Sequence, residues 1–165
     1  MGRRSRGKGK VPRFLIIDVT AYYPSLQKKY KFGYRVMNHP ENFEFIHDSN
    51  IEFKRKGDKK ARQPFKIMDN AISGQMKQRQ SALFDPMSNN SICINGQLLL
   101  LDLVEHIEPY CMLIQNNTDG IVVKLADYER DFDILDDIVY EWEQRTGMNM
   151  EFDTFMGDIY QKDVN

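Results

Sequence analysis

The chain has 165 residues, 41% of them hydrophobic and 28% charged, and a formal net charge of −1. This length allows one domain with its own core, or one domain with a small insertion, and it is too short for a complete enzyme of several large domains. No segment has the length and apolar character of a membrane span or a signal sequence, so neither a membrane partner nor export is expected. Cys93 and Cys111 lack metal-ligand spacing, which indicates reduced thiols in a cytoplasmic protein.

The first half of the chain is predicted to form a basic tail, one strand and three helical segments. Residues 1–13 contain Arg and Lys but no acid, which is typical of a flexible tail. The β-branched apolar run at 13–19 predicts a strand, and residues 22–30 predict a short helix with Pro24 in its first turn. The following segments are a loop at 33–40, a helix at 41–53, a charged turn at 54–60 and a helix at 64–80.

The second half is predicted to form two helices and four short strands. Two stretches have apolar residues at helical spacing, and the second is followed by Gly147, a C-cap residue. The first two strands are joined by a tight turn, which predicts a hairpin. In chain order these segments are a helix at 88–107, strands at 111–116 and 121–125, a helix at 131–145 and edge strands at 148–152 and 155–160.

This succession predicts an α+β protein with a ferredoxin-like antiparallel sheet packed with helices. The order is strand, helix, helical insertion, helix, strand, strand, helix, strand, which without the insertion approaches the split βαβ pattern. The predicted division is a basic tail at 1–13, a sheet domain at 14–30 and 88–165, and a helical insertion at 31–87.

Two aspartates occupy positions that indicate metal chemistry. Asp18 ends the apolar run of the first strand, and Asp119 lies in the tight turn 117–120. A carboxylate at a strand end that faces another at a hairpin tip can hold two Mg²⁺ ions, with Mn²⁺ as a substitute, for phosphoryl or nucleotidyl transfer. The alternative is that Asp18 is a strand-end cap and Asp119 an ordinary turn residue.

The segments around both aspartates, and one helix between them, resemble the motifs of family B DNA polymerases. Asp18-Val19-Thr20-Ala21-Tyr22-Tyr23-Pro24-Ser25-Leu26 resembles motif A, which ends in Ser-Leu-Tyr-Pro-Ser and an aliphatic residue. Lys66-Ile67-Met68-Asp69-Asn70-Ala71-Ile72-Ser73-Gly74 has the spacing of motif B, and Asn117-Thr118-Asp119-Gly120 resembles motif C. The three motifs occur in the family's order over roughly residues 14–125. The chain is most similar to the tailed-phage branch.

The resemblance implies a polymerase palm, interrupted by a short fingers insertion, that adds deoxynucleotides to a primer. Asp18 and Asp119 would be the catalytic metal ligands. Lys66 would neutralise the incoming triphosphate, on the same helix face as Asn70. The alternative for this helix is a solvated amphipathic surface.

Two further positions gain a role from the resemblance. Tyr23 matches the tyrosine that lies under the deoxyribose and excludes a 2′-hydroxyl, although it would alternatively pack in the core beside Tyr22. Gly74 shares the helix face of Lys66 and Asn70 and would allow a base pair to approach closely.

Three positions depart from the family pattern. Ser73 replaces the motif B tyrosine that checks the nascent base pair, and Asn117 replaces the first motif C aspartate. Lys54, with the basic cluster behind it, would substitute in part for a fingers arginine.

The histidines form no ligand constellation; they are His39, His47 and His106.

The charge distribution predicts a nucleic-acid partner. Residues 54–79 contain nine Arg or Lys and two acids, in a chain of net charge −1, and such segregation suits a protein that grips a polyanion on one side. A solvated basic loop is the alternative. The partners that the resemblance implies are primer–template DNA, a deoxynucleoside triphosphate (dNTP) and a second polypeptide that supplies the thumb and exonuclease. A phage-encoded protein of this kind would act in the host cytoplasm.

Two other interpretations stay open at this point. The chain could be a catalytically impaired polymerase remnant that serves as a nucleic-acid-binding domain. It could also be a palm-like structural domain with no nucleic-acid role.

Overall fold

The computed structural model describes residues 14–155, which form four strands and five α-helices. Short 3₁₀ turns follow α1 and α4, at Tyr34–Val36 and Glu108–Tyr110. The elements are β1 (Phe14–Val19), α1 (Tyr22–Tyr30), α2 (Pro40–Lys56), α3 (Lys59–Gln75), α4 (Pro86–Ile107), β2 (Met112–Asn116), β3 (Gly120–Lys124), α5 (Tyr128–Thr146) and β4 (Met150–Phe155).

The four strands form one antiparallel sheet in the order β2-β3-β1-β4. Strand β1 lies between β3 and β4, and its residues alternate, with Leu15, Ile17 and Val19 buried and Asp18 exposed. This strand order, with a helical connection before β2 and another before β4, is the ferredoxin-like topology. The predicted α+β class and sheet are therefore confirmed.

The described residues separate into two compact units. The first contains β1 and residues 100–155, including the rest of the sheet and α5. Helix α5 presents an apolar face, on which Leu135, Val139 and Trp142 are fully buried, and the ring of Phe132 meets Phe152 of β4 edge-on at 5.6 Å. Buried apolar side chains from the sheet and from this helix thus form the core of the unit.

The second unit contains residues 20–99, with α1, α2, α3 and the first part of α4. Helices α2 and α3 pack against each other, and both contact α1. Gly57, with φ 71°, ends α2, and the Asp58 side chain accepts a hydrogen bond from Ala61 N, which starts α3 one residue later. A left-handed glycine and an adjacent N-cap therefore make the connection between the two helices very short.

Several predicted boundaries are wrong. Helix α2 continues through the segment predicted as a charged turn, because Lys54–Lys56 are good helix formers that need no other structure until Gly57. Helix α3 begins at Lys59 and not at Pro64, which lies inside it. One strand, β4, replaces the first predicted edge strand, and residues 156–160 of the second lie outside the described residues, as do residues 1–13.

Within residues 14–155, no helix combines the length and the apolar character that crossing a membrane requires. The predicted division into a palm at 14–30 and 88–165 and a fingers insertion at 31–87 is a functional one and stays a prediction.

Candidate active site

Asp18 lies near the end of β1 on the solvent-exposed face of the sheet. Strand alternation turns it away from the buried Ile17 and Val19. Its neighbours across the sheet are Gly120 of β3 and Glu151 of β4. Directly opposed residues of antiparallel strands have their Cα atoms about 4.5–5.5 Å apart, so Asp18 has a second carboxylate residue, Glu151, as its direct cross-strand neighbour.

Asp119 lies in the turn between β2 and β3 and is exposed. The turn is closed by a hydrogen bond from Asn117 N to Gly120 O, 2.8 Å long. The carbonyl of Asp119 accepts a further hydrogen bond from Val19 N, also 2.8 Å long. The backbone of Asp119 is therefore bonded to the residue that follows Asp18, and both aspartates lie at the same end of the sheet.

The donor chemistry of this end of the sheet is compatible with Mg²⁺. Among the described residues, no group of three or more His, Cys, Asp or Glu side chains is arranged to hold a metal ion. Mg²⁺ is commonly bound by only one or two carboxylates, and its remaining ligands are water and substrate phosphate oxygens. Two exposed carboxylates are thus an adequate protein contribution to such a site.

Gly120 makes the close approach of the turn to β1 possible. A Cβ atom at this position would lie 2.7 Å from the carbonyl oxygen of Ile17 and 2.9 Å from Oδ1 of Asp18. The first contact is with backbone, which cannot rotate away. Any residue larger than glycine would therefore displace the β3 strand, the Asp18 carboxylate or both.

The candidate triphosphate residues lie on helix α3, in the second unit. Lys66 and Asn70 are exposed, and Gly74 follows on the same face, where an added Cβ would meet nothing within 4 Å. Asp69, Ser73 and the residue that follows the helix, Met76, are buried on the opposite side. The helix thus presents one open face with a cation, an amide and a position without a side chain.

Ser73, at the position of the missing motif B tyrosine, faces inward. Its hydroxyl is buried and donates to Oε1 of Gln27 on α1, 2.8 Å away. In this structure residue 73 ties two helices together and is not available to check a base pair.

Tyr23 is half-buried and makes a stacked ring contact with Tyr22, with 6.2 Å between ring centroids. Tyr22 is the buried partner, and its hydroxyl donates to Gly96 O at 2.6 Å. Burial raises the pKa of Tyr22 above its ordinary value, so this hydroxyl stays protonated. Tyr22 is the core residue of the pair, and part of the Tyr23 side chain remains accessible.

The cations of the basic segment fall into two groups. Lys54 donates to Oγ1 of Thr20 at 3.1 Å, Arg62 donates to Oδ1 of Asn50 at 3.0 Å, and Lys56 pairs with Glu52. The other six form no ion pair with any residue between 14 and 155. They are Arg55, Lys59, Lys60, Lys66, Lys77 and Arg79, and all six are exposed.

Sequence reasoning missed Glu151 and the buried His47. The pairing of Glu151 with Asp18 depends on strand register, which a sequence does not state. The sequence indicates no role for His47, yet its Nδ1 lies 3.0 Å from Oδ2 of Asp69. A buried histidine and aspartate on different helices, far apart in sequence, carry no local signal.

Comparison with known proteins supports the fold more than the chemistry. No protein-family model matches the chain, and no curated protein matches it significantly. A solved structure, the family B DNA polymerase from the hyperthermophilic archaeon Pyrobaculum calidifontis, matches over 92% of this chain with a TM-score of 0.58 and 16% sequence identity. The chain spans 26% of that polymerase. The match shows that the chain has the α+β fold of a polymerase palm-like domain.

Proposed function

We propose that this chain is the palm and fingers part of a family B-like, template-directed DNA polymerase. Its reaction would be the transfer of a nucleotide from a dNTP to the 3′ end of a primer. The observation that carries the proposal is the hydrogen bond from Val19 N to Asp119 O, which brings the motif C-like turn beside Asp18 on a polymerase-like sheet. The likeness to a polymerase fold supports a nucleic-acid-related role.

In this proposal the sheet unit supplies the metal ligands. The carboxylates of Asp18 and Asp119 would hold a pair of Mg²⁺ ions. Such ions lower the pKa of the attacking 3′-hydroxyl and stabilise the charge that develops on the phosphate.

The helical unit would bind the nucleotide. Lys66 is exposed and forms no ion pair within residues 14–155, so its charge is available to triphosphate oxygens. Asn70 would contribute hydrogen bonds on the same face, Gly74 would leave room for the base pair, and Tyr23 would lie under the sugar. Lys54 is already bonded to Thr20, so its role would be to hold the motif A segment as well as to add positive charge.

The proposed reaction needs parts that lie outside this fold. The chain spans about a quarter of the polymerase that it matches. A thumb and an exonuclease would come from a further segment or from a second polypeptide. Without a thumb to hold the duplex, the reacting atoms are poorly oriented, so we expect little primer extension by the 165-residue chain alone.

Metal binding tests the proposal. Mn²⁺ titrated into the purified chain and followed by electron paramagnetic resonance should bind, and Asp18→Asn and Asp119→Asn should each abolish or strongly weaken binding. Glu105→Gln is the matched control, because Glu105 is an exposed carboxylate of α4 outside the site. Equal Mn²⁺ affinity in all four proteins would refute the assignment of the metal ligands.

A second candidate function is a polymerase remnant that binds nucleic acid without catalysis. The six exposed cations favour it, and so does Ser73, which is committed to the core. The two functions differ in a primer-extension assay with Mg²⁺ and dNTP in which the thumb-containing partner is added. The remnant would bind the primer–template in gel-shift assays and add no nucleotide, whereas the polymerase would add nucleotides and lose this activity with Asp119→Asn.

A further inference from the structure

A buried polar cluster joins the three helices that precede α4. His47 of α2 lies between Ser25 of α1 and Asp69 of α3, with 3.0 Å from its Nδ1 to Oδ2 of Asp69 and 3.4 Å from its Nε2 to Oγ of Ser25. His47 is 5% exposed and Asp69 is fully buried. Oδ2 of Asp69 also accepts a hydrogen bond from Nδ2 of Asn50, 2.8 Å away.

Hydrogen bonds hold His47 between α1 and α3. Ser25 Oγ lies 3.2 Å from the carbonyl oxygen of Thr20, to which it donates, and 3.4 Å from Nε2 of His47. The Asp69 carboxylate accepts, so Nδ1 of His47 donates to it, as Nδ2 of Asn50 does. Two donors from α2 therefore satisfy the buried Asp69 carboxylate.

The cluster fixes the rotation of α3 about its own axis. Asp69 is directly followed by Asn70 and lies on the side of the helix opposite to the open face. One turn further, Ser73 is bonded to Gln27 of α1. Apolar contacts alone allow a helix to roll or slide, whereas the directional hydrogen bonds of Asp69 and Ser73, both buried on one side of α3, fix its rotation.

We propose that His47 is a positioning residue, which acts through Asp69 to fix the rotation of α3 and so the direction in which Lys66 and Asn70 face. This inference rests on the proposed function, in which that face holds the triphosphate. It also explains why α3 leaves Ile67 58% exposed while it buries an aspartate.

Three substitutions of His47 separate positioning from mere packing. The amide nitrogen of Asn is placed to imitate Nδ1, so His47→Asn keeps the donor to Asp69. His47→Gln places its amide nearer the Nε2 position and loses that donor, as does His47→Ala. In calorimetric titrations of Mg²⁺–dATP into the full chain, we expect affinity to fall about tenfold in the Gln and Ala variants and to stay near wild type in the Asn variant. Equal losses in all three variants would overturn the proposal.

A second measurement reports the position of α3 without any nucleotide. Met76, just after α3, is fully buried, whereas Met68 is 40% exposed. Hydroxyl-radical footprinting should show more oxidation of Met76, relative to Met68, in His47→Ala and His47→Gln but not in His47→Asn. Unchanged Met76 oxidation in all variants would overturn the positioning role. Failure of the wild-type chain to bind Mg²⁺–dATP would instead refute the proposed function, and Met76 would still decide the role of His47.

Nuclear magnetic resonance tests the contact with Asp69 directly. The ¹⁵N shift of Nδ1 of His47 should show that this ring nitrogen carries a proton in the wild-type chain. An Nδ1 without a proton would contradict the hydrogen bond through which His47 acts on Asp69.

Discussion

Steric contact with the neighbouring strand, and not only turn propensity, requires glycine at position 120. Asn-Thr-Asp-Gly would form a tight turn for local reasons, but the contacts of Gly120 are with the neighbouring strand. Its Cα approaches the Ile17 carbonyl so closely that a Cβ would lie 2.7 Å away, and Oδ1 of Asp18 lies next in line at 2.9 Å. The residue that closes the turn therefore also determines where the Asp18 carboxylate lies.

Gly120→Ala should lower both stability and metal affinity. Forcing a methyl group against backbone costs about 1–3 kcal/mol, as overpacking does elsewhere. Urea unfolding should show this loss, and Mn²⁺ affinity should fall because Asp18 is displaced. Gly74→Ala is the matched control, since its Cβ would meet nothing within 4 Å. Inside a helix this change should increase stability by about 0.5–1 kcal/mol. A Gly120→Ala protein as stable as wild type would contradict the steric argument.

Other residues of the candidate site could be read from the sequence only in part. The exposure of Asp18 follows from strand alternation, and the exposure of Lys66 from its charge. The inward direction of Asp69 and Ser73 could not be predicted, because apolar Ile67 and Met68 occupy exposed positions on the same helix. The partners His47 and Gln27 decide that orientation, and they lie on other helices.

Elements whose signals are local were predicted well. The predicted bounds of α1 agree with the observed ones, and Gly147, with φ 68°, ends α5 as expected. The sequence predicts α3 from residue 64, at Pro64, whereas the helix begins at Lys59. Proline is tolerated inside this helix because Pro64 is exposed to water. The carbonyl of Lys60, which has no N–H from Pro64 to accept, belongs to a residue that is also exposed. The start of α3 is therefore determined by the N-cap residue Asp58 and not by Pro64.

The start of α4 depends on an ion pair that links it to the segment after α1. Asp85 accepts from the backbone and hydroxyl of Ser88 and from two guanidinium nitrogens of Arg35, with 2.8 Å from Nε to Oδ2. The Asp85 side chain is fully buried, whereas that of Arg35 is 58% exposed. The hydrogen bond from Arg35 is the main reason that the pKa of Asp85 lies well below its usual range.

Asp85→Asn should therefore remove a stabilisation that depends on pH. The folded-state pKa is lowered, so the contribution of Asp85 is present above the unfolded value near 3.9 and is lost as pH falls below it. At pH 7 we expect the variant to lose about 1–2 kcal/mol, since water screens the exposed Arg35. At pH 3 the difference from wild type should be smaller, as urea unfolding at both values would show.

The control for this pair is Asp48→Asn. Asp48 pairs with Lys28 on the surface, where its side chain is 63% exposed, and its removal should cost less than about 1 kcal/mol. A loss at Asp85 that is constant between pH 7 and pH 3 would show that the cap to Ser88, rather than the charge, is what matters.

At the scale of the whole molecule, the net charge does not reveal the exposed cations of the basic segment. The chain is nearly neutral, with 23 basic and 24 acidic residues. Yet six exposed cations of the basic segment have no acidic partner within residues 14–155, whereas Lys28 and Lys31 are paired with Asp48 and Glu44. Composition predicted the basic segment correctly, but only the structure separates the cations that are paired from those that are available to phosphates.

This separation predicts which cations set the salt dependence of DNA binding. Each phosphate contact releases condensed counterions, so the logarithm of affinity falls with the logarithm of salt concentration, by about 0.9 per contact on duplex DNA. Lys59→Glu/Lys60→Glu should weaken binding uniformly across sequences and reduce this slope, because contacts to phosphates do not read bases. Lys28→Glu/Lys31→Glu changes the net charge equally but alters cations that are already paired. Fluorescence anisotropy over a range of salt concentrations should therefore show a smaller slope in the first variant than in the second. Equal slopes in both variants would mean that total charge, and not the exposed cations of α3, governs the interaction.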